Sequence, residues 1–195
     1  IMVSLYVVIE FFCGSLMFSY WLGCAAKKDL TTVGDGNPGA FNLWSAAGPK
    51  IGILGVFLDF TKGYFPLVVL IEGGYVHGFA IIPVAIAPII GHVFSPFMRF
   101  NGGKGIAATF GVWSAVTRFH ASIVYALILA VMEIIYKMSG KPASSNADGF
   151  IVVFGMWILS LYLVAEGYPA YILILWLVNF MLLAYTNRSK LHKFF

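Results

Sequence analysis

The sequence predicts an all-α integral membrane protein, a bundle of about seven transmembrane helices, some of them short, joined by glycine-rich loops. Three observations predict it. Of the 195 residues, 61% are hydrophobic and only 10% are charged, against about 25% charged in soluble domains. The mean hydropathy is +0.91. The basic residues sit in short stretches between apolar runs, which marks membrane boundaries and argues against a nucleic-acid surface despite a net charge of +4.

A bilayer core of about 30 Å takes roughly 20 apolar residues per helix. The first segment runs from Met2 to Gly23, too long and too often interrupted by polar residues for a cleaved signal peptide. If it is one continuous helix, Cys13 and Cys24 lie roughly 16 Å apart, beyond the roughly 7 Å limit for a disulfide, so two free thiols are expected. The second runs from Ile51 to Leu70. The third, Gly78 to Phe97, carries Pro83, Pro88 and Pro96, which kink or end it. A short fourth segment spans Lys104 to Thr117, followed by Ala121 to Tyr136, Phe150 to Val164 and Tyr168 to Tyr185. Ala143-Ser144-Ser145-Asn146-Ala147 is the one low-complexity linker. No polar stretch is long enough for a soluble domain, so residues 1–195 read as a single polytopic membrane domain.

Orientation follows from lysine and arginine. With the amino terminus outside, the inner segments hold Lys27, Lys28, Lys50, Arg99, Lys104, Lys137, Lys141, Arg188, Lys190 and Lys193, while the outer loops hold Arg118 alone. Lys62 lies inside a helix. This bias puts both glycine-rich loops and the carboxy terminus on the cytoplasmic side of the membrane, which is expected to be the cell inner (plasma) membrane.

One of these loops is Phe100-Asn101-Gly102-Gly103-Lys104-Gly105. Glycines let successive N–H groups converge on one anion and lysine adds a mobile charge, so the stretch fits a phosphate cradle. It fits equally a tight interhelical turn with a snorkelling lysine. The other loop holds Gly34-Asp35-Gly36-Asn37-Pro38-Gly39-Ala40-Phe41-Asn42. Its first six residues match the dinucleotide-binding G-x-G-x-x-G pattern, but that motif needs a preceding strand and a soluble crossover helix, and membrane segments lie on both sides here. What remains is a set of N–H donors and side-chain amides able to hold a phosphate, or an ordinary solvated loop.

Inside the membrane segments, Asp59 and Lys62 stand three residues apart on one helical face, as a functional pair or as an ion pair that holds helices together. Glu133 and Lys137 form a possible i,i+4 pair, whereas Glu10 has no local partner. His92 suits phosphate donation or acid–base work, or helix packing. His77, His92, His120 and His192 are too scattered for a metal site, and no Cys/His spacing supports one. Ser15 follows Gly14 without the partners of a serine triad.

Taken together, Gly14-Ser15, the loop from Gly34 to Asn42, Asp59 to Gly63, Gly91-His92-Val93-Phe94 and Arg99 to Gly105 resemble the bacterial glycerol-3-phosphate acyltransferase family that uses acyl-phosphate as donor. The likeness covers roughly the first 110 residues. It implies a seven-helix membrane fold and transfer of an acyl group from acyl-phosphate to the 1-hydroxyl of glycerol-3-phosphate, giving phosphate and lysophosphatidic acid in phospholipid synthesis. No metal or other cofactor is implied, and the partners are the two phosphorylated substrates and membrane lipid. The implied catalytic residues are Lys104, Lys62, Ser15 and His92. Gly34, Gly36, Asn37, Gly39, Asn42, Asp59, Arg99, Gly102, Gly103, Gly105 and Arg188 would surround the substrates. The chain departs from the family pattern in three places. Thr31 stands where an arginine is usual, Asp35 replaces a serine, and Asn187-Arg188-Ser189-Lys190-Leu191 keeps the arginine of a carboxy-terminal motif but not its histidine and asparagine. These departures motivate an alternative, a non-catalytic member that binds anionic lipid or a partner protein at the cytoplasmic face. A small transporter is a third reading, against which no inverted repeat is found.

Overall fold

The computed structural model describes residues 2–140 and 145–194. Among these there is no strand. Ten α-helices are α1 (Met2–Ser15), α2 (Phe18–Ala25), α3 (Ala40–Ala47), α4 (Pro49–Glu72), α5 (Ile81–Val93), α6 (Ile106–Thr117), α7 (His120–Met138), α8 (Ser145–Ala165), α9 (Ala170–Thr186) and α10 (Arg188–Phe194). Five stretches are long and apolar enough to cross a membrane: Met2–Ala25, Pro49–Glu72, Gly78–Met98, His120–Met138 and Asn146–Ala165. Two shorter apolar helices, Ile106–Thr117 and Ala170–Thr186, complete the seven expected segments.

The first segment is not one helix. It breaks at Leu16-Met17 into α1 and α2, with Met17 at φ −102° and ψ 65°. Ser15 Oγ donates back to Phe11 O at 2.7 Å, a local bond that competes with helical geometry, and the last amide of the turn, Leu16 N, bonds Cys13 O at 3.3 Å. The second segment is longer than expected because Gly48, at φ 85°, turns the chain and Pro49 opens α4 at its first position. A short helix, α3, occupies part of the loop expected before it. Of the linker expected at 143–147, residues 143 and 144 lie outside the described set, and α8 already begins at Ser145. The basic tail forms α10. Cys13 and Cys24 are free thiols.

The chain forms two compact units, Ile1–Val116 and Thr117–Phe195. In the first, α1 packs on α5 and α4 packs on α1, α2, α3 and α5. Small residues permit close approach: a Cβ on Gly14 would fall 2.1 Å from the Pro88 carbonyl oxygen, and one on Gly111 would fall 2.2 Å from that of Phe60. In the second unit α8 packs against α7, α9 and α10. Tyr125 Oη donates to Val152 O at 2.8 Å and Trp176 Nε1 to Met156 O at 2.7 Å. The Glu133–Lys137 pair forms at 3.2 Å on an exposed face of α7.

Candidate active site

The break between α1 and α2 leaves carbonyls without helical donors, and unpaired backbone groups are costly away from water. Lys62, on α4, donates its Nζ to Leu16 O. The same ammonium pairs with Asp59 at 2.9 Å, and the two side chains are 2% and 1% exposed. Asp59 Oδ2 accepts from Ser19 Oγ of α2 at 2.5 Å. This cluster therefore joins both halves of the broken segment to α4. Ser19 was not singled out from the sequence; its one signal is a hydroxyl within an apolar run.

After α2, Asp29 caps a turn at Leu30–Thr32: its carboxylate accepts from Thr31 Oγ1 at 2.6 Å and from Thr31 N at 2.9 Å. These bonds hold the Asp29 carboxyl below the usual carboxylate range. Thr31, one of the three departures, thus holds the side chain of Asp29. The next loop is stapled by Asn42, the third residue of α3 and 2% exposed. Its Nδ2 donates to Val33 O at 2.7 Å, Asn37 O at 2.9 Å and Asp35 Oδ1 at 3.1 Å. Three acceptors share two N–H bonds. Gly34 sits at φ 57°, and a Cβ there would lie 2.7 Å from Asn42 Oδ1, so both the turn and the staple require glycine. Asn37 Oδ1 accepts from Gly39 N at 3.0 Å.

The second glycine-rich loop docks by its backbone on the end of α5. Gly102 N donates to Val93 O at 2.9 Å and Gly103 N to His92 O at 3.1 Å. Those two amides are engaged by the protein, and a cradle for an anion is not built from them. A Cβ on Gly103 would come within 2.1 Å of His92 Nε2, so the glycine lets the loop lie over the imidazole. His92 is 4% exposed and its Nδ1 has no hydrogen-bond partner. Lys104, next in the loop, forms an ion pair with Asp35 across 69 residues of sequence.

These parts meet at a cavity of about 320 Å³ within the first unit. Of the sequence-derived candidates, Asn37, Gly39, Asn42, Asp59, His92, Lys104 and Gly105 line it, as does Asp35. Val56, Ile106 and Phe110 supply apolar wall that the sequence reading had not singled out. Lys62, Ser15, Gly34, Gly36, Gly102, Gly103 and Arg99 support the site from outside the lining or stand away from it. Ser15 is fully buried with its hydroxyl on Phe11. Arg99 is exposed in a turn at φ 51°. Arg188 belongs to the second unit, where it stacks 4.2 Å from the Tyr185 ring centroid and donates to Tyr185 O at 2.9 Å. Asn187 is buried, donating to Leu183 O at 3.0 Å. Among the described residues no three metal-ligating side chains cluster.

Comparison with known proteins agrees in family and fold. The family model for glycerol-3-phosphate acyltransferase matches residues 4–195. Glycerol-3-phosphate acyltransferase 1 of Thermotoga maritima is 36% identical over 194 residues, covering 96% of this chain and 95% of its own length. The glycerol-3-phosphate acyltransferase of Aquifex aeolicus is 31% identical over 187 residues, covering 96% and 92%. The crystal structure of PlsY (YgiH), an integral membrane glycerol 3-phosphate acyltransferase, in its glycerol 3-phosphate form superposes with a TM-score of 0.85 at 26% identity, over 98% of this chain and 91% of that one. Its lysophosphatidic acid form gives 0.84.

Proposed function

We infer, because this chain belongs to the glycerol-3-phosphate acyltransferase family, that it is an integral membrane enzyme which acylates glycerol-3-phosphate to lysophosphatidic acid, with acyl-phosphate as the donor. The observation that carries the reading is the composition of one cavity, which is lined both by Lys104, His92, Asn37 and Asp59 and by Phe41, Val56, Ile106 and Phe110. A phosphate and a hydrocarbon chain need both kinds of lining in one place.

Acyl-phosphate is a mixed anhydride and needs no covalent nucleophile from the protein. In the proposed step the 1-hydroxyl oxygen of glycerol-3-phosphate attacks the acyl carbonyl carbon. The bond from that carbon to the phosphate oxygen breaks, phosphate leaves with the electron pair, and the hydroxyl proton ends on phosphate. The protein's share is to align hydroxyl and carbonyl and to stabilise developing negative charge. Lys104 is assigned to phosphate. His92, whose buried Nδ1 lacks a partner, is assigned to orient the hydroxyl and relay its proton. Asp59 lines the cavity and is held by Lys62. Within the inner membrane, the distribution of basic residues supports an external amino terminus, with cavity and carboxy terminus on the cytoplasmic side.

Detergent-purified protein given a long-chain acyl-phosphate and glycerol-3-phosphate is expected to release lysophosphatidic acid and phosphate in equal amounts. Lys104→Ala removes a charge-assisted contact of about 1.5–3 kcal/mol, so kcat/KM falls roughly 10- to 150-fold. Folded protein that binds phospholipid but yields no product would overturn the reading in favour of a non-catalytic member.

A further inference from the structure

Among the described residues that line the cavity, Lys104 is the sole lysine or arginine, and a carboxylate of the chain already holds it. We propose that Asp35 is a resident anion that substrate phosphate must displace from Lys104, so that this one side chain sets how weakly the site holds phosphate groups. The proposal rests on the acyltransferase reading and adds to it a residue that determines phosphate affinity.

The geometry divides the work of the Asp35 carboxylate between its two oxygens. Oδ2 meets Lys104. Oδ1 accepts from Asn42 Nδ2 at 3.1 Å and from Asn37 N at 3.3 Å. When Lys104 turns to a phosphate, Asp35 therefore keeps two donors and has a place to stay. The pair is also open enough to exchange, with the Lys104 and Asp35 side chains 17% and 27% exposed. The Asp59–Lys62 pair, at 1% and 2%, is sealed. Asp59 adds a second carboxylate to the cavity, already neutralised by Lys62 at 2.9 Å. An incoming phosphate dianion thus finds its one lysine engaged by a carboxylate, and must replace that carboxylate as the partner of Lys104 before it binds. The consequence is a high KM for glycerol-3-phosphate and weak product inhibition by inorganic phosphate.

The test compares wild type with Asp35→Asn, which keeps the shape and the oxygen facing Asn42 while removing the charge. Binding of inorganic phosphate and of glycerol-3-phosphate to the purified full chain is measured by calorimetry. Asp35→Asn is expected to tighten both about 10-fold, the equivalent of one charged contact, and to lower KM in the same proportion. In a Lys104→Ala background the same substitution is expected to bring less than about a 2-fold gain, because no ammonium is left to be released, whereas independent residues would keep the full gain. Unchanged or weaker binding in folded Asp35→Asn overturns the proposal, as does an undiminished gain without Lys104. If Asp35→Asn does not fold, Asp35→Ser is put to the same criteria; if neither variant folds, the carboxylate is a structural element and the proposal fails. Turnover separates the two readings: active wild type without tighter Asp35→Asn binding sinks this inference alone, while Asp35-dependent phosphate binding without product sinks the acyltransferase reading alone.

Discussion

In the loop from Gly34 to Gly39, side chains bind the loop's own backbone: Asn42 reaches Val33 and Asn37, and Asn37 reaches Gly39. In the stretch from Gly102 to Gly105, the loop's backbone binds a helix, with no side chain of its own needed. Both are rich in glycine, yet the first uses glycine to turn around an amide and the second uses it to lie flush on His92. The difference predicts different weaknesses. A side-chain staple is undone by deleting a side chain, and a docked backbone is undone by adding one.

The largest effect is expected at the docked loop. A Cβ on Gly102 would stand 2.0 Å from the His92 carbonyl oxygen, and backbone cannot swing aside. Gly102→Ala is expected to destabilise by about 3 kcal/mol, the upper end of overpacking, and to lower turnover at least about 100-fold by displacing Lys104 and His92. Thermal unfolding in detergent and the acyl-transfer assay check both. A smaller effect is expected at the stapled loop, where Asn42→Ala removes the donors shared by three acceptors. Stability should drop by about 1–2 kcal/mol, with activity lost mainly through Asp35 and Asn37. If Asn42→Ala proves the more damaging of the two, the contrast between the loops is wrong.

The smallest effect is a response to acid in the turn at Leu30–Thr32 that leads into the first loop. Asp29 titrates below its unfolded value because Thr31 bonds the charged form. Its contribution is fully present above the unfolded pKa of about 3.9 and is lost as pH falls through the lower folded value. Hydrogen exchange at Leu30–Thr32 should therefore quicken below about pH 4, while residues 102–105 respond only to intrinsic exchange chemistry. Asp29→Asn should loosen the same turn at neutral pH. Equal acid sensitivity in that turn and in residues 102–105 would dissolve the distinction.

The membrane fold was legible because hydropathy reports the environment directly, and all seven apolar segments lie where composition put them. The break at Leu16-Met17 was not. Neither residue is glycine or proline, and the break is stabilised by Lys62 from 46 residues away. The Asp59–Lys62 pair could be read because i,i+3 spacing is local, whereas its third member, Ser19, lies 40 residues from Asp59. The same limit applies to Lys104 and Asp35. Sequence marked each as notable, Asp35 as a departure from the family pattern, but only the fold brings the cation to the carboxylate. Composition pointed to N–H groups in the Gly-Gly-Lys-Gly stretch as an anion cradle; it could not tell that α5 claims two of them.

The broken first segment also constrains the order of assembly in the cell. Leu16 O and Ser19 Oγ find their partners on α4, which emerges from the ribosome later. At about 5–20 residues per second, the 46 residues separating Leu16 from Lys62 take on the order of 2–9 s to synthesise. During that interval α1 and α2 have polar groups that lipid cannot satisfy, at several kcal/mol each. Of these two segments the one made earlier is therefore not the one settled earlier: its final seat waits for α4, and the Lys62 ammonium enters the membrane together with the carbonyl it serves.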